Sequence, residues 1–193
     1  MPSPKPRLCD CTFASLYSAA KTGKAANATA VIYWSRSRYL PPPLMVLDWD
    51  LVRIEGGFIE AWLPQVFKRL DALNAEVGAQ LPAMGGYIEN KGAGSILLRI
   101  AEKKELPLME LNDKLTGVDK DERVLNASSY IQSDMVKFSN EAAAKTVDYN
   151  GTDVNHLMNQ ISGFAPGAKN VDDELLNAFT YGVALGLGAE EGL

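Results

Sequence analysis

Only two cysteines and one histidine occur in the 193-residue sequence. Cys9 and Cys11 flank a single residue in a stretch that reads as a strand, and an i, i+2 pair has poor disulfide geometry. Both are expected to be reduced thiols. Two thiols alone make no zinc cage. His156 has no cysteine or histidine partner at ligand spacing, so a core or surface role is expected of it. No run of about 18 apolar residues is present, so no membrane span is read. The opening residues Met1 to Arg7 lack the apolar centre of a secretory signal. There is no Gly-x-x-x-x-Gly-Lys-Ser/Thr phosphate loop, so no nucleotide site of that kind is read. A surplus of basic charge is missing as well, the net charge being −5. A module that grips nucleic acid unaided usually carries a basic face. Here any such face has to be local, which argues against a stand-alone nucleic-acid-binding module. It leaves open an enzyme whose substrate is delivered by another domain.

What is present suits one compact globular domain over residues 1–193. Residues Arg7 to Phe13 read as a short strand. It begins so close to the first residue that the chain is expected to be a piece of a longer protein. Ala28 to Trp34 is rich in β-formers, and Leu44 to Asp50 follows the break at Pro41-Pro42-Pro43 as a third strand. Short connections among these three suit an antiparallel meander. After Gly56-Gly57 the period changes. Phe58, Trp62, Val66, Leu70 and Leu73 mark a helical stripe, with Pro64 ending a first turn or kinking the helix. Strands are then expected at Met84 to Glu89 and Leu106 to Leu111, with a short extended piece at Met135 to Phe138. Helices are expected at Ala93 to Lys104, Val118 to Ser133, Val154 to Ser162 and Val171 to Leu185. Asp113 to Asp121 and Asn140 to Asp153 read as loops. Three meander strands followed by strand–helix alternation predict an α/β fold, a mixed sheet with helices on both faces.

Three acidic positions stand out in this layout. Hard divalent cations need oxygen ligands, usually carboxylates converging from separate elements. Asp10 falls inside the first expected strand, where an unpaired carboxylate is costly. Glu89 ends the apolar strand Gly-Tyr-Ile, ahead of a glycine loop. Asp172 and Asp173 open the last long helix. Each has a plainer reading: Asp172 and Asp173 as helix caps complementing the dipole, Glu89 as a solvated strand end. Bound to shared metal ions, all three positions make sense together.

The sequence around these acids resembles the nuclease domain of phage large terminase subunits. Cys-Asp-Cys-Thr-Phe at 9–13, Lys-Thr-Gly-Lys at 21–24 and Thr-Ala-Val-Ile-Tyr-Trp at 29–34 look like its opening. Tyr-Ile-Glu-Asn-Lys-Gly-Ala-Gly at 87–94 is similar to its second acidic motif. Asp119-Lys-Asp-Glu-Arg123 resembles its Asp-Lys-x-x-Arg helix start. Phe164-Ala-Pro-Gly167 followed by Asn170-Val-Asp-Asp-Glu-Leu-Leu-Asn-Ala178 resembles its closing motif. The match runs from about Asp10 to Leu187, in order. Two positions depart from the pattern: Asn27 and Asn177 stand where the family often carries Asp.

The resemblance implies a ribonuclease H-like fold and an endonuclease that hydrolyses double-stranded DNA during phage genome packaging, with little sequence specificity. It implies two Mg²⁺ or Mn²⁺ ions bridged across Asp10, Glu89 and Asp173, with Asp172 the alternative third ligand and Asp173 preferred. Lys91 is then expected at the scissile phosphate, and Lys120, Arg123, Lys21 and Lys24 along the DNA backbone, although solvated surface charge is the plainer reading of each. Implied partners are duplex DNA, an ATPase domain ahead of this one in the same polypeptide, a portal protein and a small terminase subunit. The implied location is the host cytoplasm, and the isolated domain is expected to be monomeric. Two competing readings share the residues: a Holliday-junction resolvase or transposase-type enzyme of the same fold, and a DNA-docking domain without catalysis, which Asn27 and Asn177 favour.

Overall fold

The computed structural model describes residues 2–18, 27–54, 58–167 and 173–188. A two-residue strand, β1 (Pro2–Ser3), precedes the three strands that carry the fold: β2 (Cys11–Ser18), β3 (Asn27–Arg36) and β4 (Leu44–Ile54). As expected, these three form an antiparallel meander, with Phe13 opposite Trp34 and Ile32 opposite Trp49. The first of them starts later than the sequence suggests. Arg7 to Asp10 lie ahead of the strand and Ala14 to Ser18 are inside it. This shift moves Asp10 out of the sheet interior.

The rest of the chain alternates as anticipated: α1 (Ile59–Glu76), β5 (Gly86–Ile88), α2 (Ala93–Lys103), β6 (Leu108–Glu110), a single turn α3 (Asp113–Thr116), α4 (Lys120–Gln132) and β7 (Val136–Ser139). Then come the short α5 (Asn140–Ala144), a hairpin of β8 (Val147–Tyr149) and β9 (Thr152–Val154), α6 (His156–Ser162) and α7 (Glu174–Leu187). The stretch expected as a loop at 140–153 thus holds a helical turn and the hairpin. Asn150 and Gly151 both take positive φ, 55° and 76°. This is the two-residue turn that matches strand twist. Helix α1 continues through Pro64 as one element.

Seven strands form one mixed sheet in the order β1-β7-β4-β3-β2-β5-β6. β2 is its pivot, antiparallel to β3 on one side and parallel to β5 on the other. Alternation along β2 separates two cores. Ala14 and Leu16 face α1 and α2, with Leu63, Leu70 and Leu97. Phe13 and, more superficially, Tyr17 face the layer of α7, with Trp34, Phe179 and Tyr181. Helices therefore cover both faces, and the fold is a ribonuclease H-like α/β sheet.

Helix α7 packs unusually close to the sheet. Ser15 Oγ accepts from Trp34 Nε1 at 2.8 Å and donates to the Ala178 carbonyl at 2.7 Å. A Cβ on Gly182 would come within 2.3 Å of the Trp34 ring. Small and polar residues in β2 and α7 thus fix the height of the last helix over the pivot strand, and with it the position of the helix start. No helix among the described residues is long and apolar enough to cross a membrane.

Candidate active site

In sheets of this kind, the carboxyl ends of parallel strands at a change of strand order are where ligands are held. Here that place is the end of β2 and β5. Leu16 pairs with Ile88, so the next residues, Tyr17 and Glu89, stand level on neighbouring strands. Ile88 points into the core under α1 and α2. By alternation Glu89 points to the other face, toward α7. Its backbone is fixed by close approach: a Cβ on Gly94, at the start of α2, would lie 2.1 Å from the Glu89 carbonyl oxygen. One carboxylate oxygen of Glu89 meets Lys91 Nζ at 2.6 Å, and the other accepts from the Tyr181 hydroxyl at 3.2 Å.

The second acid arrives from α7. Asp173 occupies the N-cap position, yet its side chain makes no capping hydrogen bond. The carboxylate instead pairs with Lys120 at the start of α4. The plain capping explanation for this residue therefore fails on geometry. Asn177, one turn on, donates from its side chain to the Asp173 carbonyl at 3.0 Å and accepts from Arg123 Nη2 at 3.0 Å. The Arg123 guanidinium also donates to the Val118 carbonyl at 2.7 Å and lies 4.4 Å from the centre of the Tyr181 ring. Glu174, next to Asp173, is buried at 1% exposure.

These groups act on one another electrostatically. Burial pushes the Tyr17 phenol up, and the charges of Asp173, Glu89 and Glu174 push the same way against Arg123. Burial likewise raises Tyr181, to about 12, with Arg123 opposing and Glu89 adding to the rise. Both phenols are neutral at pH 7, so Tyr181 is a hydrogen-bond donor to Glu89.

The structure brings together Glu89, Asp173, Lys91, Lys120 and Arg123. Asp10 is not among them. It lies at the opposite end of β2, seven residues before Tyr17, which is roughly 23 Å along an extended chain. Metal ions that share ligands lie about 4 Å apart, so Asp10 cannot bridge an ion to Glu89. Its carboxylate accepts from the Arg38 amide at 2.7 Å instead, beside a pocket of about 270 Å³ lined by Arg36, Arg38, Tyr39 and Leu81. Lys21, Lys24 and Asp172 lie outside the described residues. Lys120 and Arg123, expected along the DNA backbone, engage Asp173 and Asn177 within the site. Tyr17, Glu174 and Tyr181 were missed. Tyr17 was legible only once the pivot strand was placed correctly, and Tyr181 from its i+4 spacing to Asn177 on one helix face.

Among the described residues, no group of three or more His, Cys, Asp or Glu side chains is arranged to hold a metal ion. Cys9 and Cys11 are buried free thiols. His156 Nε2 lies 2.9 Å from the Val147 carbonyl and 3.0 Å from that of Thr152, bracing the β8–β9 hairpin.

No protein-family model matches the sequence, and no curated protein matches it. Solved structures do. The human cytomegalovirus terminase nuclease domain superposes with a TM-score of 0.59 at 16% identity, covering 91% of this chain and 85% of that one. A manganese-soaked form of the same domain gives 0.57 at 14% identity, over 90% and 82%. The large terminase nuclease of thermophilic phage G20c, with bound zinc, gives 0.45 at 16% identity over 89% and 81%. The chain has the fold of the cytomegalovirus terminase nuclease domain.

Proposed function

We propose that this chain is a divalent-ion-dependent endonuclease that cleaves double-stranded DNA, acting as the nuclease of a viral genome-packaging terminase. The observation that carries this reading is the meeting of two acids with three cationic side chains at the end of the parallel strands of a ribonuclease H-like sheet. Glu89 and Asp173 come from different elements, and both side chains keep some solvent access, at 15% and 28% exposure. Support also comes from the fold: the cytomegalovirus neighbour is named a nuclease domain and was soaked with manganese.

The donors fit a hard cation, since both are carboxylates. Each is held by a lysine, and an ion binding between them would replace that lysine's charge. When bound, such an ion would polarise a phosphoryl oxygen and acidify the attacking water. The chain's own residues do the positioning. Tyr181 fixes one oxygen of Glu89, and Asn177 holds the backbone of Asp173. Lys91 is exposed and Lys120 half-buried, so both ammonium groups are within reach of a phosphate at the mouth of the site. Contacts of this type hold a duplex by its backbone without reading bases, so cutting would be largely independent of sequence.

A second reading is favoured by one specific feature. The pivot strand offers Tyr17 where a third carboxylate would complete the set, and Asn177 adds no charge. A domain that docks DNA without cutting it is consistent with both. Incubation of the chain with supercoiled plasmid and Mn²⁺ or Mg²⁺, beside a chelator control, separates the two. Metal-dependent nicking supports the nuclease. Absence of cleavage, with duplex binding that weakens when Lys91 and Lys120 are neutralised, supports docking.

A further inference from the structure

We propose that Tyr17 restricts this site to a single divalent ion, its phenol filling the place on the pivot strand from which a third carboxylate would bridge a second ion. The inference rests on the reading of Glu89 and Asp173 as ion-holding residues. Its geometric basis is the register: Leu16 opposite Ile88 puts Tyr17 directly beside Glu89. Strand alternation turns both side chains to the α7 face, where Tyr17 packs against the core that includes Tyr181. The start of α7 brings Asp173 to this face of the sheet, paired with Lys120, while Asn177 one turn on meets Arg123, whose guanidinium lies against the Tyr181 ring.

Two ions about 4 Å apart carry four positive charges and need anionic oxygens shared between them. The described residues of the site, which do not include Asp172, cannot match that charge. The acids Glu89, Asp173 and Glu174 are faced by Lys91, Lys120 and Arg123, so the set is already close to neutral. One ion can enter by displacing a lysine from its carboxylate. A second would meet a neutral phenol, which is a poor ligand for Mg²⁺ or Mn²⁺ beside a carboxylate. Asp10 cannot supply the missing charge from the far end of β2.

The test is the number of Mn²⁺ ions bound per chain, measured by calorimetry and by the electron paramagnetic resonance signal of free Mn²⁺, with no DNA present. The intact chain is expected to bind one ion. Tyr17→Phe is expected to leave that number unchanged, and Tyr17→Asp or Tyr17→Glu to raise it to two. Circular dichroism and thermal melting establish that each variant is folded. Two ions of comparable affinity on the unsubstituted chain would overturn the proposal while leaving the nuclease reading intact, and this result needs no variant to fold. A folded Tyr17→Asp chain that still binds one ion would overturn it equally. No ion on either chain would overturn it together with the reading it rests on.

Discussion

Tyr181 donates its hydroxyl to Glu89 Oε2 at 3.2 Å, joining the middle of the last helix to the end of the second parallel strand. Arg123 stacks on the same ring and reaches Asn177, so one helix face organises the whole site. Tyr181→Phe keeps the ring and removes the donor. It is expected to weaken Mn²⁺ binding several-fold and to lower stability by about 1 kcal/mol, the net worth of an ordinary hydrogen bond. Calorimetric titration and urea unfolding measure the two effects separately.

The packing of α7 on Trp34 gives a prediction about the fold alone. Gly182→Ala would push a methyl to within 2.3 Å of the indole ring, which cannot move because Ser15 holds its nitrogen. Overpacking of this type costs about 1–3 kcal/mol. A lowered urea midpoint with an unchanged slope is the expected result. Ala at the exposed Leu125 is the matched control, with little change expected.

Asp48 links stability to pH. Burial works against its charge, but Lys145 and Arg69 outweigh it, and its carboxyl is held below the usual aspartate range. Lys145 meets it at 2.9 Å and Arg69 at 2.8 Å. A carboxylate whose folded-state value is depressed stabilises the protein above its ordinary value, and that stability is lost as pH falls through the depressed one. Asp48→Asn is therefore expected to cost about 1.5–3 kcal/mol at pH 7, the usual range for hydrogen bonds to charged groups. The difference from the unsubstituted chain should shrink as pH drops below the normal aspartate range. Urea melts at pH 7 and at pH 3 measure it.

The two thiols should be inert in the folded chain. Burial pushes Cys9 up to about 11, with Cys11 and Asp10 adding to the rise, and burial raises Cys11 as well. Since the thiolate is the reactive form, a disulfide reagent at pH 8 is expected to titrate both cysteines only after denaturant is added. Rapid reaction of either one under native conditions would contradict the burial described here.

Much of the architecture was readable from residues. The β-branched and aromatic run at Ala28 to Trp34, the stripe from Trp62 to Leu73 and the glycine-led strand before Glu89 all hold their places, because periodicity and burial agree there. The pivot strand was misplaced for a physical reason. The strand was expected over Arg7 to Phe13, yet it runs on through Ser15, which is buried between the Trp34 nitrogen and the Ala178 carbonyl, partners that only the folded chain supplies. That error carried Asp10 into a site it does not reach. The hairpin at Val147 to Val154 is legible in its Asn-Gly turn alone, because its polar neighbours read as a loop. Lys120 and Arg123 were legible as a pair on one helix face, but their engagement with Asp173 and Asn177 depends on how α4 and α7 pack, which no local pattern encodes.

Cleavage of supercoiled plasmid in Mn²⁺ by the unsubstituted chain, compared with Glu89→Gln, Asp173→Asn and Asp10→Ala, tests the account most directly. Nicking that is lost on removing either site carboxylate, and that survives in Asp10→Ala, is the result predicted. Nicking that persists without Glu89 and Asp173, or that disappears with Asp10 alone in a folded protein, would contradict it.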